Sequence, residues 1–150
     1  CYNFSKKILP QINKTYPKIE FNIVGKINTF DKFILSRFSN VKVHGPVKKI
    51  DNMIKKSICG ISNLKVATGL QNKIFMYMSY GLPVIASKDS VPKNLIKNKK
   101  NILIYSRQDD LIKCISELIN KKKLANLISR NSYKIVKNKL TAKKVYNKYI

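Results

Sequence analysis

The segment from Ala67 to Ser87, ATGLQNKIFMYMSYGLPVIAS, lays down a loop, a helix, a stop and a strand in direct succession. Thr68 and Gly69 form a loop that opens a helix from Leu70 to Tyr80; Gly81 ends it, and Leu82 and Pro83 lead into the apolar strand Val84, Ile85, Ala86. On that helix Leu70, Ile74 and Met78 recur at four-residue spacing and face a core, while Lys73, Met76 and Tyr80 share a different face. A helix N-terminus directly after a glycine gathers unpaired backbone N–H groups and the positive end of the helix dipole, with Lys73 on the first turn. Such a place suits an anionic group, most simply a phosphate. Taken singly, Gly69 is what any turn requires, Lys73 is one lysine of many, and the Met and Tyr positions are ordinary core. The order of the parts carries the reading.

A chain of 150 residues with 44% apolar residues has enough material for one globular domain with a sizeable core. No run approaches the ~18 consecutive apolar residues of a membrane-spanning helix, and no signal peptide is recognisable at the start. Cys1, Cys59 and Cys114 are far apart and odd in number, without zinc-site spacing, and read as buried or incidental thiols in a reducing compartment. The lone His44 builds no metal site by itself, and 7 acidic residues are few for paired-carboxylate chemistry. The net charge of +24 would ordinarily point to nucleic acid or an anionic membrane surface. Yet arginine occurs only at Arg37, Arg107 and Arg130, and the abundant Lys, Asn and Ile all have A/T-rich codons, so genome composition competes as the cause. No familiar nucleic-acid motif interleaves basic and aromatic residues here, which speaks against that partner.

In chain order, Asn3 or Ser5 is placed to cap a first helix through Lys14, with Phe4, Ile8, Leu9 and Ile12 on its inner side and a bend at Pro10. Tyr16 and Pro17 stop it, and a strand runs from Glu20 to Gly25. A helix over Asp31 to Phe38, with apolar Phe30, Phe33, Ile34 and Phe38, precedes a strand from Val41 to Gly45. A short helix from Ile50 to Lys56 and a strand from Ser57 to Ile61 deliver the chain to the central segment. Beyond it come a short helix around Val91 to Ile96, a strand from Ile102 to Tyr105, a helix from Asp109 with that carboxylate as cap, another from Leu124 to Lys137, and a last from Ala142 to Tyr149. Helices separating five short apolar strands predict an α/β fold, a parallel sheet wound on both faces.

The segment ending in GLPVIAS resembles the nucleotide-binding half of GT-B fold glycosyltransferases, in particular the large retaining group that includes sucrose synthase and many bacterial cell-surface sugar transferases. Gly69, Lys73, Met78, Gly81, Pro83, Val84, Ile85, Ala86 and Ser87 match that pattern in order, and the likeness extends more weakly over almost the whole chain. It implies a Rossmann-like three-layer α/β/α domain with a mostly parallel sheet of about five strands, the C-terminal domain of a GT-B enzyme. Residues 1–150 would form this single donor-nucleotide-binding domain, a fragment lacking the N-terminal acceptor-binding domain and the first strand, and inactive alone. The full enzyme would transfer a sugar from a nucleotide diphosphate sugar to a cell-surface glycan or lipid-linked acceptor, in the cytoplasm or at the inner face of the membrane.

By the same resemblance, the backbone N–H groups of Thr68, Gly69, Leu70 and Gln71 approach the diphosphate and Lys73 adds charge. Gly25 and Lys26, at the end of their strand, contact ligand, although Gly25 equally serves merely to end the strand. No metal and no cofactor is expected, because the helix dipole and the lysine supply the positive field for the leaving diphosphate. The sequence names no catalytic residue. The position of Met76 borders the ribose; the family usually has Glu there, and methionine cannot accept hydrogen bonds from ribose hydroxyls, which leaves other groups such as Asn72 or Tyr80, or a loss of transfer activity. A GT-B nucleotide-sugar epimerase is a second enzymatic reading. A non-catalytic basic module for anionic lipid or nucleic acid is a third, and Lys121, Lys122, Lys123, Lys134, Lys137, Lys139, Lys143 and Lys144 would favour an anionic membrane surface.

Overall fold

The computed structural model describes residues 1–63, 72–91 and 96–139. They belong to two compact units, residues 1–50 and 51–150.

In the first unit a π-helical turn, Phe4–Ile8, runs into α1, Leu9–Thr15. The helix changes type where Pro10 withholds a backbone donor from the first turn of α1. Asn3 has helical backbone angles and no capping hydrogen bond, and Ser5 gives its hydroxyl hydrogen to the Cys1 carbonyl, so neither is the expected cap. Phe4, Ile8, Leu9 and Ile12 are buried as their spacing predicts, and the Phe4 ring tilts against Phe21 with centroids 4.4 Å apart. Strand β1, Phe21–Val24, pairs in parallel with β2, Val41–His44, from Phe21 beside Val41 to Val24 beside His44.

Between them α2, Thr29–Ser36, begins earlier than expected because Asn28 caps it, its Oδ1 accepting from the Asp31 N–H at 2.7 Å. Its phenylalanines are not its buried residues. α2 packs on β2 and buries Leu35, while Phe30 and Phe33 stand 72% and 63% exposed. At 3.6 residues per turn Leu35 lies nearly opposite Phe33, so a single contact with the sheet cannot cover both.

The second unit contains α3, Asp51–Lys55; β3, Gly60–Ser62; α4, Asn72–Ser79; β4, Val84–Ser87; a 3-10 turn, Lys88–Ser90; β5, Leu103–Tyr105; α5, Gln108–Asn120; and α6, Lys122–Lys139. The third strand starts later than Ser57 because the helical turn continues there, the Ser57 N–H bonding to the Ile54 carbonyl at 3.0 Å and its Oγ to Met53 at 2.7 Å. Strands β3, β4 and β5 are parallel in that order, with Ile61 beside Ile85 and Ile85 beside Leu103. Every residue of the central β4 is buried, as expected for a parallel strand covered on both faces. Ile74, Met78, Val84, Ala86, Ile96 and Ile102 form the core, with Phe75, Tyr77 and Val136 packed around it.

Five parallel strands with intervening helices are thus present, paired among the described residues as sheets of two and three. Helix α5 opens one residue before Asp109, and the capping carboxylate is that of Asp110, which accepts from the Arg107 N–H at 3.1 Å. Residues 92–95 of the helix expected around Val91 to Ile96, and all of the helix expected from Ala142, lie outside the described residues.

Candidate functional site

In open parallel sheets ligands gather beyond the carboxyl ends of the strands, and the local structure places several expected residues there. In the first unit the β1–β2 ladder closes with the Gly25 N–H reaching the Gly45 carbonyl at 3.4 Å, and the exposed Lys26 follows. Gly25 has φ +128°, and a Cβ added to it would meet nothing within 4 Å. Its backbone angle, not lack of room, calls for glycine. His44 at the end of β2 is held through Nε2, 2.8 Å from Asn22 Oδ1, a contact between the two strands.

In the second unit α4 presents the two faces its periodicity predicts: Ile74 and Met78 are fully buried, Lys73 is exposed on the first turn, Met76 is half-buried and Tyr80 is exposed. Thr68, Gly69, Leu70 and Gln71 lie outside the described residues. The far end of α4 is closed by Gly81 at φ +68°, whose N–H bonds to the Met78 carbonyl at 2.9 Å while the Leu82 N–H bonds to Tyr77 at 3.0 Å. That pair of bonds is a Schellman motif, which turns the chain from α4 into β4. Ser129 Oγ on α6 donates to the Gly81 carbonyl, tying α6 to this turn. Lys73 and Met76 therefore sit on a helix fixed at its C-terminal end from two directions.

Sequence reasoning missed a row of hydroxyls at the carboxyl edge of the three-stranded sheet. Ser62 ends β3, Ser87 ends β4 and Tyr105 ends β5, and all three are buried. Ser87 Oγ lies 2.5 Å from Ser90 Oγ on the 3-10 turn. Among the described residues, Ser62 Oγ and the Tyr105 hydroxyl are buried without a hydrogen-bond partner. Burial pushes the Tyr105 phenol up to about 12, with the nearby Cys114 adding to it. The available signal was a polar residue closing each of three apolar strands.

The three cysteines are free thiols of differing burial. Cys1 is exposed, while Cys59 and Cys114 are half-buried. Burial, then repulsion from Cys114, pushes the Cys59 thiol up to about 12; burial, with Glu117 and Asp110, pushes Cys114 to about 11. Both stay protonated and unreactive at neutral pH. Among the described residues no three His, Cys, Asp or Glu side chains cluster as a metal site, and no helix is long and apolar enough to cross a membrane. Lys121, Lys122, Lys123, Lys134 and Lys137 are exposed; the side chain of Lys139, and Lys143 and Lys144, lie outside the described residues.

Parallel strands alternating with helices give a fold shared with several solved GT-B glycosyltransferases and consistent with the C-terminal half of such an enzyme. The chain belongs to the family glycosyl transferases group 1, whose profile matches residues 2–121. Its fold is similar to that of an S. aureus TarM variant in complex with fondaparinux, α-GlcNAc-glycerol and UDP, at a TM-score of 0.77 and 20% identity over 92% of this chain and 29% of that one. The pneumococcal O-GlcNAc transferase GtfA, in complex with UDP and GlcNAc, gives 0.67 and 17% over 93% and 30%. The C-terminal domain of LpcC, a glycosyl transferase group 1 protein from Francisella tularensis, gives 0.53 and 17% over 88% and 92%. The chain therefore spans under a third of TarM and GtfA but is matched to nearly all of an isolated C-terminal domain. A search of curated proteins found no significant relative.

Proposed function

We propose that this chain is the donor-binding half of a glycosyltransferase that moves a sugar from a nucleotide diphosphate sugar to a cell-surface glycan or lipid-linked acceptor. The observation that carries the proposal is Lys73. It is exposed on the first turn of α4, a helix whose opposite face is anchored by the fully buried Ile74 and Met78. A cation held there on a rigid element, beside the dipole end of the helix, is positioned for the diphosphate and for the charge that builds on it as the glycosidic bond breaks. Backbone N–H groups from Thr68 to Gln71 complete the phosphate cradle in this reading, and Gly25 and Lys26 serve the strand end of the first unit. TarM and GtfA, each solved with UDP, share the fold. The positive field comes from lysine and backbone, and no metal is required.

Calorimetric titration of the full-length protein with uridine and guanosine diphosphates tests this. Lys73→Ala is expected to weaken binding by roughly tenfold or more, the loss of one charge-assisted contact. A chelator in the cell is expected to leave the affinity unchanged. Equal affinity in wild type and variant would remove Lys73 from the site.

A further inference from the structure

An eight-residue helix that turns two phenylalanines to solvent while burying one leucine is unusual for a soluble surface, and α2 does so. Phe30 and Phe33 are one turn apart on the same side, and single exposed apolar residues are common whereas adjoining ones mark a partner. Their surroundings are cationic. The Arg37 guanidinium lies 5.7 Å from the centre of the Phe33 ring, and Lys32 is exposed on the same helix. Just past α2, Phe38 meets Tyr2 edge-on at 5.5 Å, and Lys6 Nζ stands 5.6 Å from the ring of Tyr2, itself 50% exposed. The helix carries one acid, Asp31, whose Oδ2 accepts from Asn28 Nδ2 at 2.6 Å and which is therefore engaged with its own cap.

We infer that the α2 face formed by Phe30 and Phe33, with Arg37 against it and Lys32 on the same helix, is a docking surface for an anionic lipid bilayer. The chemistry matches the depth profile of a membrane interface. Phenylalanine, without a polar handle, enters the acyl boundary; the cations reach the phosphate layer, with long basic side chains extending back to water. A protein partner would satisfy the rings equally, but the interleaved cations select a surface of dense negative charge, and each basic residue near such a surface strengthens attachment. Codon usage accounts for lysine at any exposed position and gives no reason for two phenylalanines to face water. The inference stands without the donor groups named above.

The test is co-sedimentation of full-length protein with vesicles of phosphatidylcholine alone or mixed with phosphatidylglycerol, comparing wild type with the double variant Phe30→Ser/Phe33→Ser. Wild type is expected to pellet with the anionic vesicles only, and the variant to need roughly tenfold or more lipid for the same bound fraction. Unfolding temperature and nucleotide affinity, measured on both, are expected to agree, since the rings are exposed. Equal vesicle binding by the two proteins, or none by wild type, overturns the inference. So does a lower unfolding temperature or altered oligomeric mass in the variant with vesicle binding intact, because the face would then belong to another part of the protein or to a second copy. Vesicle binding lost as expected, with nucleotide bound by neither protein, would instead count against the donor reading alone.

Discussion

The ring of Tyr77 on α4 fills the space that any side chain at Gly60 would need. A Cβ built on Gly60 comes within 2.8 Å of Tyr77 Cε2 and closer still to Cγ and Cδ2. Residue 60 opens β3 and α4 rests on that strand, so the missing side chain sets how near the helix carrying Lys73 and Met76 lies to the sheet.

Gly60→Ala is therefore expected to destabilise the protein by about 1–3 kcal/mol through overpacking. Chemical denaturation measures it. Combining Gly60→Ala with Tyr77→Leu is expected to cost less than the two single changes added together, the signature of a direct clash. An unchanged midpoint for Gly60→Ala would mean that the ring yields freely.

Met76 bears on function rather than on packing. It is half-buried on α4, three residues beyond Lys73, and its carbonyl accepts from Ser79 Oγ at 2.7 Å, a bond that does not involve the thioether. Met76→Glu in the full-length protein is expected to tighten nucleotide diphosphate binding by roughly ten- to a hundredfold, the worth of about 1.5–3 kcal/mol of charge-assisted hydrogen bonding to a ribose. Calorimetry on a folded variant decides it. Affinity equal to or below wild type would show that no ribose is held at this position.

The start of α5 has a pH signature. The Asp110 carboxyl is held below its ordinary range by the hydrogen bond from the Arg107 backbone N–H, against a smaller opposing effect of burial, with the Arg107 and Lys113 charges adding to the lowering. Glu117 is lowered by its hydrogen bond from Lys121 Nζ at 2.9 Å. For a carboxylate whose folded pKa is depressed, the stabilisation is complete above the unfolded pKa, about 4, and is lost as pH falls through the lower folded value. Asp110→Asn is expected to be less stable than wild type at neutral pH and to lose less on acidification below about pH 4. Urea midpoints measured across that range check it; parallel acid limbs would remove Asp110 from the linkage.

Much of this architecture was legible because its signals are local. The α4–β4 turn follows from Gly81, which alone readily takes φ +68°, and from Ile74 and Met78 at helical spacing. The Val84, Ile85, Ala86 run of β4 is apolar because that central strand is covered on both faces. Other features depend on which residues meet across space. Nothing in the chain order says that α2 rests on Leu35 instead of its phenylalanines, or that Ser5 turns back to Cys1 and leaves no cap. The Asp109 and Asp110 pair offered two carboxylates at one helix start, and only backbone geometry selects the second. Of the candidate site, Lys73 was readable as exposed, whereas Ser62 and Tyr105 gained interest only when their burial was known.

Those two hydroxyls also bear on what the fold has been shaped for. A buried hydroxyl that finds no acceptor, as these find none among the described residues, destabilises by about 1–3 kcal/mol, and alanine or phenylalanine would fit the same space without that penalty. Thermal resilience is thus left unrealised along one edge of one sheet.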